Sequence, residues 1–122
     1  MTKVTLKTIT SEVAAYYNVD VKMIMVTSKN KTCNDIRKVI AWLAYTSNSA
    51  TYKEIADFLG WNHVSSVYAA IKKMEDFIAC YSIYKNACKH LYKKLFHSEI
   101  NIEPIINKKF YINNTILTHS GL

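Results

Sequence analysis

The chemistry-bearing side chains of this chain fall into two sets. The first is the polar run Asn62-His63-Val64-Ser65-Ser66, which follows Gly60 and Trp61 and opens a stretch of helical apolar periodicity. Adjacent hydroxyls at a helix start lie beside free backbone amides, and short side chains there allow close approach to phosphates and base edges. Taken alone, such a serine pair also fits the solvated first turn of any helix. The second set is Cys80, Cys88 and His90. A metal site would need closely paired cysteines and a fourth ligand, which the spacing does not supply, so no metal and no cofactor are expected. His90 and His97 stand among lysines, where a solvated face is expected. No nucleophile, base and orienting group converge, and the chain reads as a non-enzyme.

Those residues need rigid elements to hold them, and the composition favours helices. With two glycines and one proline in 122 residues, the chain lacks the breakers that many short strands require. Half of it is apolar, enough for one self-folding core. The pattern predicts a helix over 8–17 capped by Thr8 or Thr10, with Ile9, Val13, Tyr16 and Tyr17 on one side. A short second helix runs from an Asp20 cap through Met25, turning Val21, Ile24 and Met25 inward. After a polar link over 27–32, a third spans 34–46 with Ile36, Val39, Ile40, Leu43 and Ala44 on its apolar face. Thr51-Tyr52-Lys53-Glu54 spells a capping box, Ile55, Phe58 and Leu59 follow, and Gly60 supplies a left-handed stop. Asn62 is the expected cap of the next helix, whose Val64, Val67, Ile71, Met74 and Ile78 face inward. The register then drifts, so 80–97 is either a kinked continuation or a separate helix. Residues 1–97 form the helical body. Residues 98–122, with Pro104 and the alternation from Lys109 to Asn114, read as a tail that is extended or mobile.

A short helix, a glycine turn and a longer helix with small polar residues at its start form the pattern of a DNA-binding helix-turn-helix. Charge agrees: sixteen lysines and arginines oppose nine acids, a formal net of +7, and the excess lies within 1–97. A basic surface attracts any polyanion, so charge supports this reading without proving it.

The residues that carry more are Ile9 to Val21 (ITSEVAAYYNVDV), Ser28-Lys29 leading to Arg37, and Thr51 to Val67 (TYKEIADFLGWNHVSSV) followed by Ala70-Ile71-Lys72-Lys73-Met74. Over 9–78 the chain resembles the C-terminal DNA-binding domain of the bacterial chromosomal replication initiator DnaA, a Trp-repressor-like helix-turn-helix fold. The family typically reads its site with Gly-Gly-basic-Asp-His-Thr-Thr-Val, and here Gly60 to Val67 occupies those positions. Gly60 and Val67 keep the turn and core roles, and Ser65 and Ser66 replace the family's hydroxyl pair. His63 stands where the family has Asp, and Val64 where it has His, so recognition of the family's usual box does not carry over. Val64 can touch a thymine methyl, and His63 can bond a purine edge or a phosphate. Arg37 falls where the resemblance implies an arginine inserted into the minor groove, which suits a narrow, electronegative A·T-rich groove. Lys29, Lys31, Tyr52, Lys53, Lys72 and Lys73 are candidate phosphate contacts, which position the protein without reading sequence. Trp42 and Trp61 are expected in the core.

The expected function is sequence-specific binding of double-stranded DNA in replication or transcription control, by an all-α compact domain with an extra C-terminal helix. The initiator's ATPase loop, G-x-x-x-x-G-K-[ST], is absent, so ATP-driven initiation is not expected. The competing reading is an interaction module in which 80–122 forms a homodimer or grips a protein partner through Tyr81, Tyr84, Leu91, Tyr92, Leu95 and Phe96. Three cysteines, an odd number and widely spaced, suit reduced thiols in a cytoplasm. No run of about 18 apolar residues occurs, so no membrane partner is expected. The Asn-, Lys-, Ile- and Tyr-rich composition points to an A·T-rich bacterium or its phage, placing the chain at a nucleoid or in a host cytoplasm.

Overall fold

The computed structural model describes residues 4–26 and 30–106. Among the described residues, six helices of five residues or more follow in order: α1 Leu6–Tyr17, α2 Val21–Met25, α3 Lys31–Thr46, α4 Tyr52–Leu59, α5 Val64–Cys80 and α6 Ser82–Phe96. Among the described residues no strand forms.

The first four helices each start where a side chain relieves free amides. α1 begins earlier than its threonines suggested. Thr5 is the cap, accepting from the Thr8 amide at 3.2 Å, while the Thr10 hydroxyl turns back to donate to the Leu6 carbonyl at 2.8 Å. Extending the helix to Leu6 lets that side chain pack on the core. α2 starts at Asp20 as expected, through a 2.8 Å bond from the Lys22 amide. Only Ile24 of that helix is buried; Val21 stays exposed. α3 starts at Lys31, because the Asn30 carboxamide accepts from both the Thr32 and Cys33 amides. The α4 capping box is complete: the Glu54 amide donates to Thr51 Oγ1 at 3.2 Å, and the Thr51 amide to Glu54 Oε1 at 2.9 Å. Gly60 ends α4 at φ +74°, and a Cβ there would meet nothing. Glycine is therefore favoured by the backbone angle and not by space.

α3 is the central element and touches all five other helices. Its Trp42, Ile40, Val39 and Leu43 are fully enclosed, against Ile9 and Val13 of α1, Ile55 of α4, Val67 and Met74 of α5, and Leu91 of α6. Each such aliphatic side chain contributes roughly 1.5–3 kcal/mol on burial. α5 and α6 are separate helices. Tyr81 adopts an extended conformation between them (φ −128°, ψ 114°), which resolves the register drift. After His97 the chain makes one helical turn at 103–106 and buries Ile102 against the body. This start of the expected tail is therefore folded onto the core; Lys109 to Asn114 lie outside the described residues.

Candidate nucleic-acid interface

α4, the turn 60–63 and α5 form the two-helix unit that the sequence predicted. The cap of α5 differs from expectation. His63 occupies the cap position in place of Asn62, and no side chain satisfies the first amides. Asn62, His63, Val64, Ser65 and Ser66 are all exposed, Val64 at 45%. Val67, Ala70, Ile71 and Met74 bury the opposite face, which fixes the helix from behind. The exposed side divides into two flanks by helical spacing: Ser65, Tyr68 and Lys72, then Ser66, Ala69 and Lys73.

The second flank borders a groove of about 440 Å³ lined by Lys38, Trp61, Ser66, Ala69, Ala70 and Lys73. Trp61 is half-buried there, while Trp42 is core as expected. The lining thus combines two small alanines with a lysine from each of α3 and α5 and the hydroxyl-bearing Ser66. Lys38 Nζ lies 3.4 Å from Asp35 Oδ1, and Lys73 Nζ is 5.6 Å from the Phe77 ring centroid. Lys31 pairs with Asp35 at 3.2 Å and lies 6.0 Å from the same ring. This is a cationic edge in which Lys31 and Lys38 share one carboxylate, Asp35.

The first flank carries an aromatic row. Tyr45 and Tyr52 stack at 4.7 Å, Tyr68 meets Tyr52 edge-on at 6.4 Å, and Lys72 Nζ stands 5.6 Å from the Tyr68 ring centroid. A hydrogen bond with Tyr45, with some help from burial, pushes the Tyr52 hydroxyl up to about 12, so it is a neutral hydrogen-bonding group at ordinary pH. Lys53 pairs with Asp57 at 3.4 Å, and both side chains are largely exposed, a weak surface contact.

Arg37 does not reach this surface. It is 2% exposed; its guanidinium donates to the Val26 carbonyl at 3.2 Å and to Asn34 Oδ1, and Nε is buried without a partner. The side chain thus joins the end of α2 to the first turn of α3. One residue onward, about 100° around the helix, Lys38 lines the groove. Sequence reading passed over Lys38, Tyr45 and Tyr68. The signal available was the phase of α3: the apolar run Ile36, Val39, Ile40 and Leu43 leaves limited room outward, and only packing decides which of two adjacent cations takes it. Lys29 lies outside the described residues.

The anchors expected for a partner-binding C-terminal helix mostly face inward. Leu91 and Leu95 belong to the core, and the Tyr84 hydroxyl donates to Asp35 at 3.2 Å while its ring stacks on Phe77 at 4.9 Å. Tyr92 and Phe96 are half-buried against each other, whereas Tyr81 remains 55% exposed. Cys33 and Cys88 are buried and Cys80 is exposed, all three as free thiols. Among the described residues no three of His, Cys, Asp or Glu are placed to hold a metal, and no helix is long and apolar enough to cross a membrane.

A family model described as the bacterial DnaA protein helix-turn-helix matches residues 6–74, from the first residue of α1 to beyond the middle of α5. Comparison with curated proteins gave no match, and comparison with solved structures gave none either.

Proposed function

This chain belongs to the bacterial DnaA helix-turn-helix family, and from that membership we propose that it binds double-stranded DNA sequence-specifically, with the start of α5 in the major groove. The observation that carries the proposal is the exposed, uncapped first turn of α5 inside the matched span, bordered by the Lys38–Lys73 groove. The duplex phosphates complement those cations, and the free amides favour an anion at the same end.

The roles divide by chemistry. Ser65 and Ser66 offer hydroxyls that donate to or accept from base edges and phosphates, Val64 meets a thymine methyl, and His63 bonds a purine edge or phosphate. Asn62 stands at the entry to the helix. Lys38 and Lys73 hold one backbone strand on the groove side, with Lys31 beyond them; Tyr52, Lys53 and Lys72 hold the other side. Arg37 serves from within, holding the α2–α3 junction. Bound in this way, the domain occupies an operator or a replication site and excludes or recruits other proteins there; no chemistry is performed on the DNA.

Titration of variants against one duplex in increasing salt tests the division of roles. Lys38→Gln and Lys73→Gln should weaken binding to all sequences alike and each flatten the salt slope by about 1. Ser65→Ala should leave the slope nearly intact and cost about 1–3 kcal/mol of discrimination between matched and mismatched sites. Equal loss on all sequences from Ser65→Ala would remove it from the reading set.

A further inference from the structure

α6 carries four lysines, Lys85, Lys89, Lys93 and Lys94, and no acid. It lies outside the matched span 6–74. Lys94 turns toward α1, where it pairs with Glu12 at 3.0 Å, and His90 meets Tyr16 on that same side. Lys85, Lys89 and Lys93 follow one another at four-residue spacing, which places them in a single row about 12 Å long. Ala87, Cys88, Leu91 and Leu95 bury the other face, so the row is held rigidly outward. Lys89 and Lys93 are exposed and Lys85 half-exposed. Among the described residues only Lys93 of the three has an acidic partner, Glu99 at 3.4 Å, with both side chains at least 66% exposed.

The row begins one residue after Tyr84, which packs beside the cationic edge already described. Lys73 and Lys31 both approach the Phe77 ring, Phe77 stacks on Tyr84, and Lys85 is the next residue of α6. The start of the row is thus tied through Tyr84 to the aromatic stack that Lys31 and Lys73 approach. Over 12 Å of duplex axis one strand presents three to four phosphates at about 3.4 Å each, a match in length and sign.

We propose that α6 is a second DNA-backbone contact, which engages duplex flanking the sequence read by α5 through Lys85, Lys89 and Lys93. It rests on the reading of α5 as a DNA-binding helix. The contact is sequence-independent: it lengthens the footprint and adds to affinity without adding to discrimination.

The test uses the full chain, the triple variant Lys85→Gln/Lys89→Gln/Lys93→Gln, and two duplexes. One is trimmed to the selected motif; the other extends it by about one helical turn, ~10 base pairs, on each side. Glutamine keeps the stem and helix propensity of lysine, and equal thermal unfolding of the two proteins verifies that the fold is kept. On the extended duplex the wild type should show a salt slope steeper than the variant by about 2–3, at 0.9 per phosphate neutralised. On the trimmed duplex the two slopes should converge. Equal slopes on the extended duplex overturn the proposal, and so does loss of binding to anionic phospholipid vesicles by the variant with its DNA slopes unchanged. Failure of the α5 reading looks different: the wild type would then bind neither duplex with preference over a scrambled one.

Discussion

Arg37 and Lys38 are neighbours of like charge with opposite fates, and the difference illustrates what one residue of helical phase decides. Arg37 is enclosed with two neutral acceptors and no carboxylate. A buried cation so placed costs desolvation that two neutral bonds only partly offset, while its stem fills core space. Substitutions can separate these terms. Arg37→Ala should lower stability by about 1–3 kcal/mol through lost packing and the unpaired Val26 carbonyl. Arg37→Met, which keeps the volume and removes the charge, should recover most of that loss, as measured by the midpoint of denaturant unfolding. If both substitutions destabilise equally, the guanidinium bonds and not the packing hold the junction. His63 poses the complementary case. It sits at a cap position without capping, whereas an aspartate there would accept from the first amides and favour the helix dipole. His63→Asp should stabilise the fold by about 0.5–1 kcal/mol and weaken or redirect DNA binding. A gain in stability with unchanged site preference would make His63 a bystander.

At the scale of elements, the sequence was most informative where one residue has one conformational reason to be where it is. The Thr51–Glu54 box and the Gly60 stop define α4 at both ends, and both stand as read. The Asp20 cap is equally direct. Redundancy defeated the reading elsewhere. Thr5, Thr8 and Thr10 can all cap α1, and the choice falls to Thr5 because Leu6 gains burial from a longer helix. Asn62 and His63 compete similarly at α5. The break between α5 and α6 has no glycine or proline to mark it; Tyr81 turns the chain so that Ala87, Cys88 and Leu91 reach the core. Of the candidate interface, the first turn of α5 was legible because polarity there interrupts an apolar period. The groove was not, since Lys38 and Lys73 lie on different helices and meet only through the packing of α3 against α5. The Thr51–Glu54 box also gives a quantitative expectation. Thr51→Ala should cost about 1 kcal/mol, within 0.5–2, and hydrogen exchange should report that loss in α4 before the central α3.

For the whole molecule, the single core means that local ionisation is felt globally. Burial pushes the Cys88 thiol up from 9.0 to about 12. The unfolded chain thus loses that proton near pH 9 while the folded chain retains it. This contribution to stability is complete below pH 9 and is lost as pH rises toward 12. Burial raises Tyr17 and Tyr84 as well, in the same direction. Unfolding midpoints measured from pH 8 to 11 should therefore fall with pH, and less steeply in Cys88→Ala. A parallel fall in both proteins would assign the alkaline loss to the tyrosines alone.

The net charge of +7 is enough to bind DNA without preference, so binding alone does not establish reading. The deciding measurement is selection of bound duplexes from a random pool, followed by salt titration of the selected duplex against its scrambled counterpart. A defined motif should emerge, retain its advantage over the scrambled duplex as salt rises, and lose that advantage in Ser65→Ala. A pool that stays random, with binding that vanishes equally for both duplexes as salt increases, would contradict sequence reading by α5.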